Sequence, residues 1–309
     1  MRVTWRGVLP AVTTPFSADG SVDHAFFAKH CAALAAAGCA GLVPLGSLGE
    51  GPTLTFDEKV ALLETAVRSV GERIPIVPGI AALSTNDAVR LARAAEAAGC
   101  SGLMVLPPYA YSTDWREMKA HVAAVIGATG LPAMLYNNPV AYTTDFLPAH
   151  IAELASEHAN LVAVKESSTD TRRVRAIRAL LSDRLQILVG VDDGIVEGLQ
   201  AGAVGWIAGL VNAFPRESIE LFRRAVAMHE GHGDPAALEA LYTWFLPLLR
   251  LDTTPKFVQL IKLAQEMVGL GSSRVRPPRL ELADAELEGA RRVIQHALAH
   301  HPSRGDGDH

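Results

Sequence analysis

Three short stretches carry side chains able to do carbonyl chemistry. Lys165 closes the run Leu161-Val162-Ala163-Val164-Lys165. An apolar run of that length, bounded by polar residues, is too short for a helix and reads as a buried strand. A lysine at its end either snorkels to solvent or loses part of its hydration. In the second case its amine is neutral often enough to attack a carbonyl and form a Schiff base. Tyr136 closes another such run, Pro132 to Tyr136. Its phenol can carry protons to and from a reacting centre, or it can simply pack with a polar tip. The third stretch is Gly46-Ser47-Leu48-Gly49-Glu50-Gly51. Its backbone N–H groups and the Ser47 hydroxyl can hold an anion, unless it is only a tight turn. It is short and lacks the Gly-Lys-Ser/Thr pattern, so it suits a carboxylate better than a nucleotide.

Such groups need strands to bring them together. Short apolar strands are expected at Val8 to Thr13, Gly41 to Leu45, Ile74 to Ile80, Gly102 to Leu106, Pro132 to Tyr136, Leu161 to Lys165, Leu185 to Val191 and Val204 to Ala208. Amphipathic helical stretches lie between them, among them Asp23 to Ala37, Phe56 to Val70, Asn86 to Ala98, Trp115 to Ala128 and Thr171 to Leu181. Thr55-Phe56-Asp57-Glu58 has the form of a capping box, Ser84 opens another helix, and Gly38, Gly99 and Gly202 close helices. The segment Ala36-Ala37-Gly38-Cys39-Ala40-Gly41-Leu42 recurs as Ala97-Ala98-Gly99-Cys100-Ser101-Gly102-Leu103, with a weaker copy at Ala201 to Trp206. Each copy ends a helix and begins a parallel strand. Alternation of this kind argues for an α/β chain, a closed (β/α)₈ barrel. An open doubly wound sheet lacks the Gly-x-Gly-x-x-Gly turn after its first strand. Residues 1–230 form the expected barrel. Pro235 to Arg250, Pro255 to Val268 and Ala283 to Ala299 make a three-helix C-terminal extension over 231–299. The His-rich residues 300–309 are expected to be a disordered tail rather than a metal site.

In such a barrel the chemistry gathers at the C-terminal ends of the strands. Lys165, Tyr136 and the Ser47 loop all fall there. So do Pro107 to Tyr111, Asn138 and Gly190-Val191-Asp192-Asp193-Gly194. Strand alternation places Leu161, Ala163, Lys165 and Ser167 towards the barrel interior and Val162 and Val164 towards the helices.

Composition narrows the rest. Of 309 residues, 49 % are apolar and 20 % charged, enough to bury a full core, and the formal net charge is −5. With no basic block beyond Arg172-Arg173, nucleic acid is not an expected partner. Cys31, Cys39 and Cys100 have no metal-type spacing and read as small buried residues of a reducing, cytoplasmic protein. No apolar run approaches the roughly 18 residues of a membrane span.

Together these motifs resemble the class I Schiff-base lyases that include dihydrodipicolinate synthase and N-acetylneuraminate lyase. The resemblance spans about Arg6 to Val268. Gly46 to Glu50 resembles the family's carboxylate loop, Tyr136-Asn137-x-Pro139 its proton-carrying tyrosine motif, and Val164-Lys165-Glu166 its Schiff-base lysine. Gly205-Trp206-Ile207 lies where the family lines the pocket with backbone. The resemblance implies a (β/α)₈ barrel, a homo-dimer or homo-tetramer, and no metal or organic cofactor beyond the lysine itself. Where dihydrodipicolinate synthase has an arginine for its second substrate's carboxylate, this chain has Ala141. The loop's second hydroxyl residue is Leu48, and the tyrosine that crosses the dimer there aligns with Ala110, next to Tyr111.

Residues 46–50, 136–139, 165–173, 190–193 and 251–259 together are similar to the 1-pyrroline-4-hydroxy-2-carboxylate deaminases of hydroxyproline breakdown. That resemblance implies Lys165 attacking C2 of a small 2-oxo acid or cyclic imine. Ser47 and the Leu48 N–H would hold its carboxylate, and Tyr136 would move protons. Asn138 and Ser167 would contact the hydroxyl-bearing part, with Ile207 lining the pocket. The products would be 2,5-dioxopentanoate and ammonia. A pyruvate-dependent aldolase or a sugar-acid dehydratase is the alternative within the family. A barrel that binds a 2-oxo acid without turnover is the alternative outside enzymes.

Overall fold

The computed structural model describes residues 2–108 and 114–302. Tyr109, Ala110 and Tyr111 lie outside the described residues, and so does most of the expected tail, 303–309. Seven parallel strands form one curled sheet: β1 Gly7–Pro10, β2 Gly79–Ile80, β3 Leu103–Val105, β4 Ala133–Asn137, β5 Leu161–Glu166, β6 Gln186–Val189 and β7 Gly205–Ala208. Their order is β1-β7-β6-β5-β4-β3-β2.

The segment Leu42-Val43-Pro44 closes this sheet into a barrel. On one side Val43 N–H donates to Pro10 O at 2.8 Å and Val12 N–H to Val43 O at 3.0 Å. On the other, Leu42 N–H donates to Pro75 O at 2.9 Å, Val77 N–H to Leu42 O at 2.8 Å and Gly79 N–H to Pro44 O at 2.8 Å. The expected second strand is therefore present only as bridges, Ala11 to Val43 and Leu42 to Ile76. The expected third strand is reduced to Gly79–Ile80. Pro44, Pro75 and Pro78 explain both differences, because a proline accepts across a ladder but cannot donate to it.

The strand interior and exterior carry separate apolar layers. Leu9, Val43, Val77, Met104, Met134, Ala163, Leu188 and Ile207 pack together inside the barrel. Val8, Leu42, Ile76, Leu103, Leu135, Val164 and Trp206 pack outwards against the helices. Leu161 departs from the expected alternation. Ala133 pairs with Leu161 but Met134 pairs with Ala163, so the register shifts between them. The extra residue, Val162, turns Leu161 into the outer layer while Ala163 stays inside and Val164 outside. This is the effect of a β-bulge, and it leaves Lys165 pointing inwards.

The barrel helices are α1 His24–Ala36, α2 Phe56–Val70, α3 Thr85–Ala97, α4 Trp115–Ile126, α5 Pro139–Tyr142, α6 Pro148–Glu157, α7 Arg172–Leu181, α8 Ile195–Gln200 and α9 Pro215–His229. Helix α2 starts at the expected capping box, with Thr55 Oγ1 accepting from Glu58 N–H and Glu58 accepting from Thr55 N–H. Gly38, Gly99 and Gly202 all take positive φ after helices, at 100°, 87° and 104°, where a side chain would strain the backbone. Helices α10 Pro235–Leu249, α11 Phe257–Met267 and α12 Asp284–Ala299 follow. No helix among the described residues is long and apolar enough to cross a membrane.

Candidate active site

Lys165 is the penultimate residue of β5, and its side chain is 7 % exposed. Its Nζ lies 4.1 Å from the centre of the Tyr136 ring. Among the described residues it makes no ion pair. Burial pushes its pKa down to about 8, opposed by the carboxylates of Asp252 and Asp192. Tyr136 and Lys165 are direct neighbours across the β4–β5 ladder. Their approach depends on an opening beyond β6. A Cβ on Gly190 would lie 2.5 Å from Lys165 Cε and 2.0 Å from Ser167 Oγ, so only glycine leaves room for both.

A second network on the outer side fixes these strand ends. Asn137 is fully buried and donates from Nδ2 to Glu166 at 3.1 Å. Its Oδ1 accepts from Phe146 N–H at 2.9 Å. Asp145 then takes a two-pronged ion pair from Arg173 at 2.7 and 2.6 Å. Neither Glu166 nor Arg173 stood out as chemistry-bearing in the sequence. Their role is to hold the neighbours of Tyr136 and Lys165 in place, and no residue-type pattern marks that role.

The Ser47 loop approaches from the far side of the mouth. Leu45 and Glu50, which flank it, both have positive φ, 65° and 53°. Such backbone in residues other than glycine persists only where the surroundings impose it. Here Gly51 packs so closely that a Cβ would stand 2.2 Å from Leu45 O. Glu50 is fully buried and receives Lys262 Nζ at 2.5 Å and Arg276 N–H at 3.1 Å. Helix α11 and the segment that follows it thus clamp the loop. Ser47 N–H and Leu48 N–H donate to no acceptor among the described residues, which leaves them free for an anion.

Three hydroxyls meet beside the amine. Ser47 Oγ shares a short hydrogen bond with the Tyr142 hydroxyl. The Tyr142 ring stands edge-on to the Tyr136 ring, with centres 5.8 Å apart. Asn138 Nδ2 donates to the Tyr136 hydroxyl at 2.9 Å, and Asn138 Oδ1 caps α5 through Ala141 N–H at 3.0 Å. Burial pushes both phenols up, so each is a proton carrier rather than a standing anion. Tyr142 was missed in the sequence. It lies six residues past Tyr136, and only the single turn of α5 folds it back. Ser167 is 1 % exposed, and its Oγ lies beside the Tyr136 hydroxyl without a well-formed hydrogen bond among the described residues. Ile207 lies inside the barrel and Leu48 packs in the same inner layer.

On the remaining wall stand two acids. Asp192, fully buried, accepts from Trp206 Nε1 at 2.9 Å, Gly209 N–H at 3.0 Å and Leu210 N–H at 2.7 Å. Burial pushes its carboxyl up to about 6, and those N–H groups pull the other way. Asp252 comes from the turn Arg250–Thr253 between α10 and α11. A cleft of about 530 Å³ opens at the other end of the barrel, among Arg6, Gly202, Val204 and His229. It lies at the N-terminal ends of the strands, away from Lys165, and is not the reaction site.

A buried strand-end lysine of lowered pKa, a tyrosine over it and an anion-holding loop form the constellation expected of Schiff-base chemistry. Comparison with known proteins agrees. Residues 4–297 match the Dihydrodipicolinate synthetase family. The chain belongs to that family. Its enzymes work through a lysine Schiff base and need no metal ion.

The chain is 33 % identical to the 4-hydroxy-tetrahydrodipicolinate synthase of Agrobacterium fabrum (strain C58), covering 96 % of this chain and 98 % of that one. It is also 33 % identical to the protein of that name from Methanoculleus marisnigri, over 94 % and 98 %. The crystal structure of dihydrodipicolinate synthase from Aquifex aeolicus superposes with a TM-score of 0.88 at 28 % identity, covering 94 % of this chain and 97 % of that one. A prophage protein of the same family from E. coli K12, crystallised in complex with pyruvate, gives 0.87 at 26 % identity, over 96 % and 99 %. Membership in the dihydrodipicolinate synthetase family makes this chain an enzyme of the Schiff-base lyase class.

Proposed function

We propose that the enzyme converts 1-pyrroline-4-hydroxy-2-carboxylate and water to 2,5-dioxopentanoate and ammonia. The carrying observation is the character of the mouth. The motif resemblance puts Ala141 where the synthase has its arginine, and Ala141 is exposed. Of the arginines of the C-terminal segment, Arg279 faces the buried Glu50 at 3.9 Å and Arg276 pairs with Glu58 at 2.8 Å. A site without a free cation at that position is poorly suited to a substrate with a second carboxylate.

Lys165 Nζ attacks C2 of the cyclic imine. The C2–N bond breaks, its electron pair goes to nitrogen, and the nitrogen takes a proton to become a primary ammonium on C5. Ser47 and the Leu48 N–H hold the C1 carboxylate. The protonated imine at C2 acidifies C3, and loss of a C3 proton gives an enamine. Its electron pair expels the C4 hydroxyl, which leaves as water with a proton from Tyr136. Proton shifts move the double bond to C5–N, water hydrolyses that imine to an aldehyde and ammonia, and a second water releases C2 from Lys165. Asn138 orients Tyr136, Ser167 supplies a hydroxyl beside the reacting carbons, and Ile207 lines the floor. The enzyme is expected to assemble as a homo-dimer or homo-tetramer, which light scattering tests.

A second reading, a pyruvate-dependent aldolase of the synthase type, is favoured by the names of the curated relatives. Product analysis separates the two. Borohydride reduction with pyruvate and with the cyclic imine, followed by peptide mapping, should place both adducts on Lys165. Ammonia released in the unreduced reaction supports the deaminase. Pyruvate consumed together with an aldehyde, and no ammonia, would replace it by the aldolase.

A further inference from the structure

We propose that Asp252, backed by Asp192, is the specificity element that accepts a cationic amine at the far end of the bound 2-oxo acid. The proposal rests on the reading above for the identity of that amine, since ring opening at C2 frees an ammonium on C5. Its structural basis is separate. The two carboxylates converge on Gly209. Asp192 accepts the Gly209 N–H, and Asp252 Oδ1 lies so close that a Cβ on Gly209 would stand 2.2 Å from it. Gly209 therefore has to be glycine for the C-terminal turn to bring its acid to the barrel.

Asp192 has both oxygens committed to N–H donors. Asp252 is half-buried, accepts a hydrogen bond from Asp192 N–H and forms no ion pair among the described residues. It feels Lys165 as a neighbouring charge, as Asp192 does. Burial and Asp192 favour its protonated form, whereas Lys165 favours the anion. An arriving ammonium acts in the same direction as Lys165, so Asp252 gains as a partner when a cation binds. Ser167 supplies an independent sign that a polar ligand belongs here. Its buried Oγ makes no well-formed hydrogen bond among the described residues, has the Tyr136 hydroxyl as its one polar neighbour, and lies with Lys165 Cε against Gly190. A buried hydroxyl left unsatisfied beside the amine is costly unless a ligand completes it.

The test is competition against pyruvate for borohydride-trapped labelling of Lys165, read by intact-protein mass. The competitors are 5-amino-2-oxopentanoate (in equilibrium with its cyclic imine), its neutral isostere 2-oxohexanoate, and 2-oxoglutarate. The readout is the ratio of half-displacing concentrations within one protein, which cancels differences in overall labelling. The wild-type enzyme should prefer the amine over the neutral isostere by about 10- to 100-fold, the range of a hydrogen bond to a charged group, and 2-oxoglutarate should rank last. Asp252→Asn should bring the ratio close to one, and Asp252→Glu, which keeps the charge, should retain most of it. A wild-type ratio near one, or an unchanged ratio in Asp252→Asn, would overturn the assignment. Loss of pyruvate labelling in both variants would overturn it too, because Asp252 would then serve Lys165 itself. Ammonia release is scored separately. Amine preference without ammonia sinks the deaminase and leaves this inference standing, and ammonia without amine preference does the reverse.

Discussion

Two lysines are buried among the described residues, Lys165 inside the barrel and Lys262 on α11, and their surroundings are opposite. Lys262 is 1 % exposed and Lys165 is 7 % exposed. Each ammonium faces an aromatic ring, Phe16 at 4.4 Å for Lys262 and Tyr136 at 4.1 Å for Lys165. Their partners differ. Lys262 donates to Glu50 at 2.5 Å and to Arg274 O at 2.6 Å. Burial pushes its pKa down, and Glu50 pulls it back up. Lys165 has no such contact, and its pKa falls to about 8. Burial alone therefore does not make a nucleophile. Desolvation without a directly bonded counter-charge, the situation of Lys165, is what favours a neutral, attacking amine. The paired lysine spends its charge on structure, holding the anion loop to α11.

The widest separation between the two should come from deleting each amine. Lys165→Ala should lose essentially all turnover, and residual activity within about tenfold of wild type, ~1.4 kcal/mol of barrier, would contradict a covalent role. Its urea midpoint should not fall, because no ion pair is broken. Lys262→Met should show the opposite pattern. It removes the closest counter-charge of the buried Glu50 and leaves it only Arg276 N–H and the more distant Arg279, at a cost of up to roughly 3–5 kcal/mol of stability. Adding Glu50→Gln should recover most of that loss. Equilibrium urea unfolding of the single and double variants reads both numbers. A Lys262→Met protein as stable as wild type would remove the structural half of the contrast.

The same contrast marks how far the sequence could be read. Lys165 was visible because a charged residue closes an apolar run, and Tyr136 and the Ser47 loop because they end strands of the same barrel. The alternation of strands and helices, the Thr55 capping box and the glycine stops are local signals, and the fold follows them. What stayed hidden depends on contacts between distant segments. Glu50 and Lys262 are 212 residues apart, and neither type nor spacing announces their pair. Asp252 lies in a turn after the barrel whose destination only the packing of α10 and α11 decides. Tyr142 needed the one-turn helix α5, too short to register as a period. The bulge at Val162 displaced Leu161 from the interior without changing the face of Lys165. A one-residue insertion of that kind carries no compositional mark.

Tyr142 sharpens the comparison on the catalytic side. Its hydroxyl bonds Ser47, and its ring contacts Tyr136, so it can pass protons along the mouth. Tyr142→Phe keeps the edge-on ring contact and removes only the hydroxyl. It should lower kcat by roughly 10- to 100-fold, at or below the lower range for a positioned acid or base. The borohydride adduct on Lys165 should still form. An unchanged kcat would confine proton transfer to Tyr136.

The smallest effect is the most direct measure of what separates the lysines. Attack requires the neutral amine, so the initial trapping rate should follow the unprotonated fraction of Lys165. With a pKa of about 8, that fraction rises about fivefold from pH 7 to pH 8, less than twofold from pH 8 to pH 9, and then flattens. A lysine of ordinary pKa would still be climbing about tenfold per unit near pH 9. The direction is fixed by the cause: burial disfavours the charged form, so the curve moves to lower pH, and the two nearby carboxylates limit how far. A midpoint near pH 10 would mean that Asp192 and Asp252 cancel the desolvation. The contrast with Lys262 would then rest on the missing counter-charge and not on a lowered pKa of Lys165.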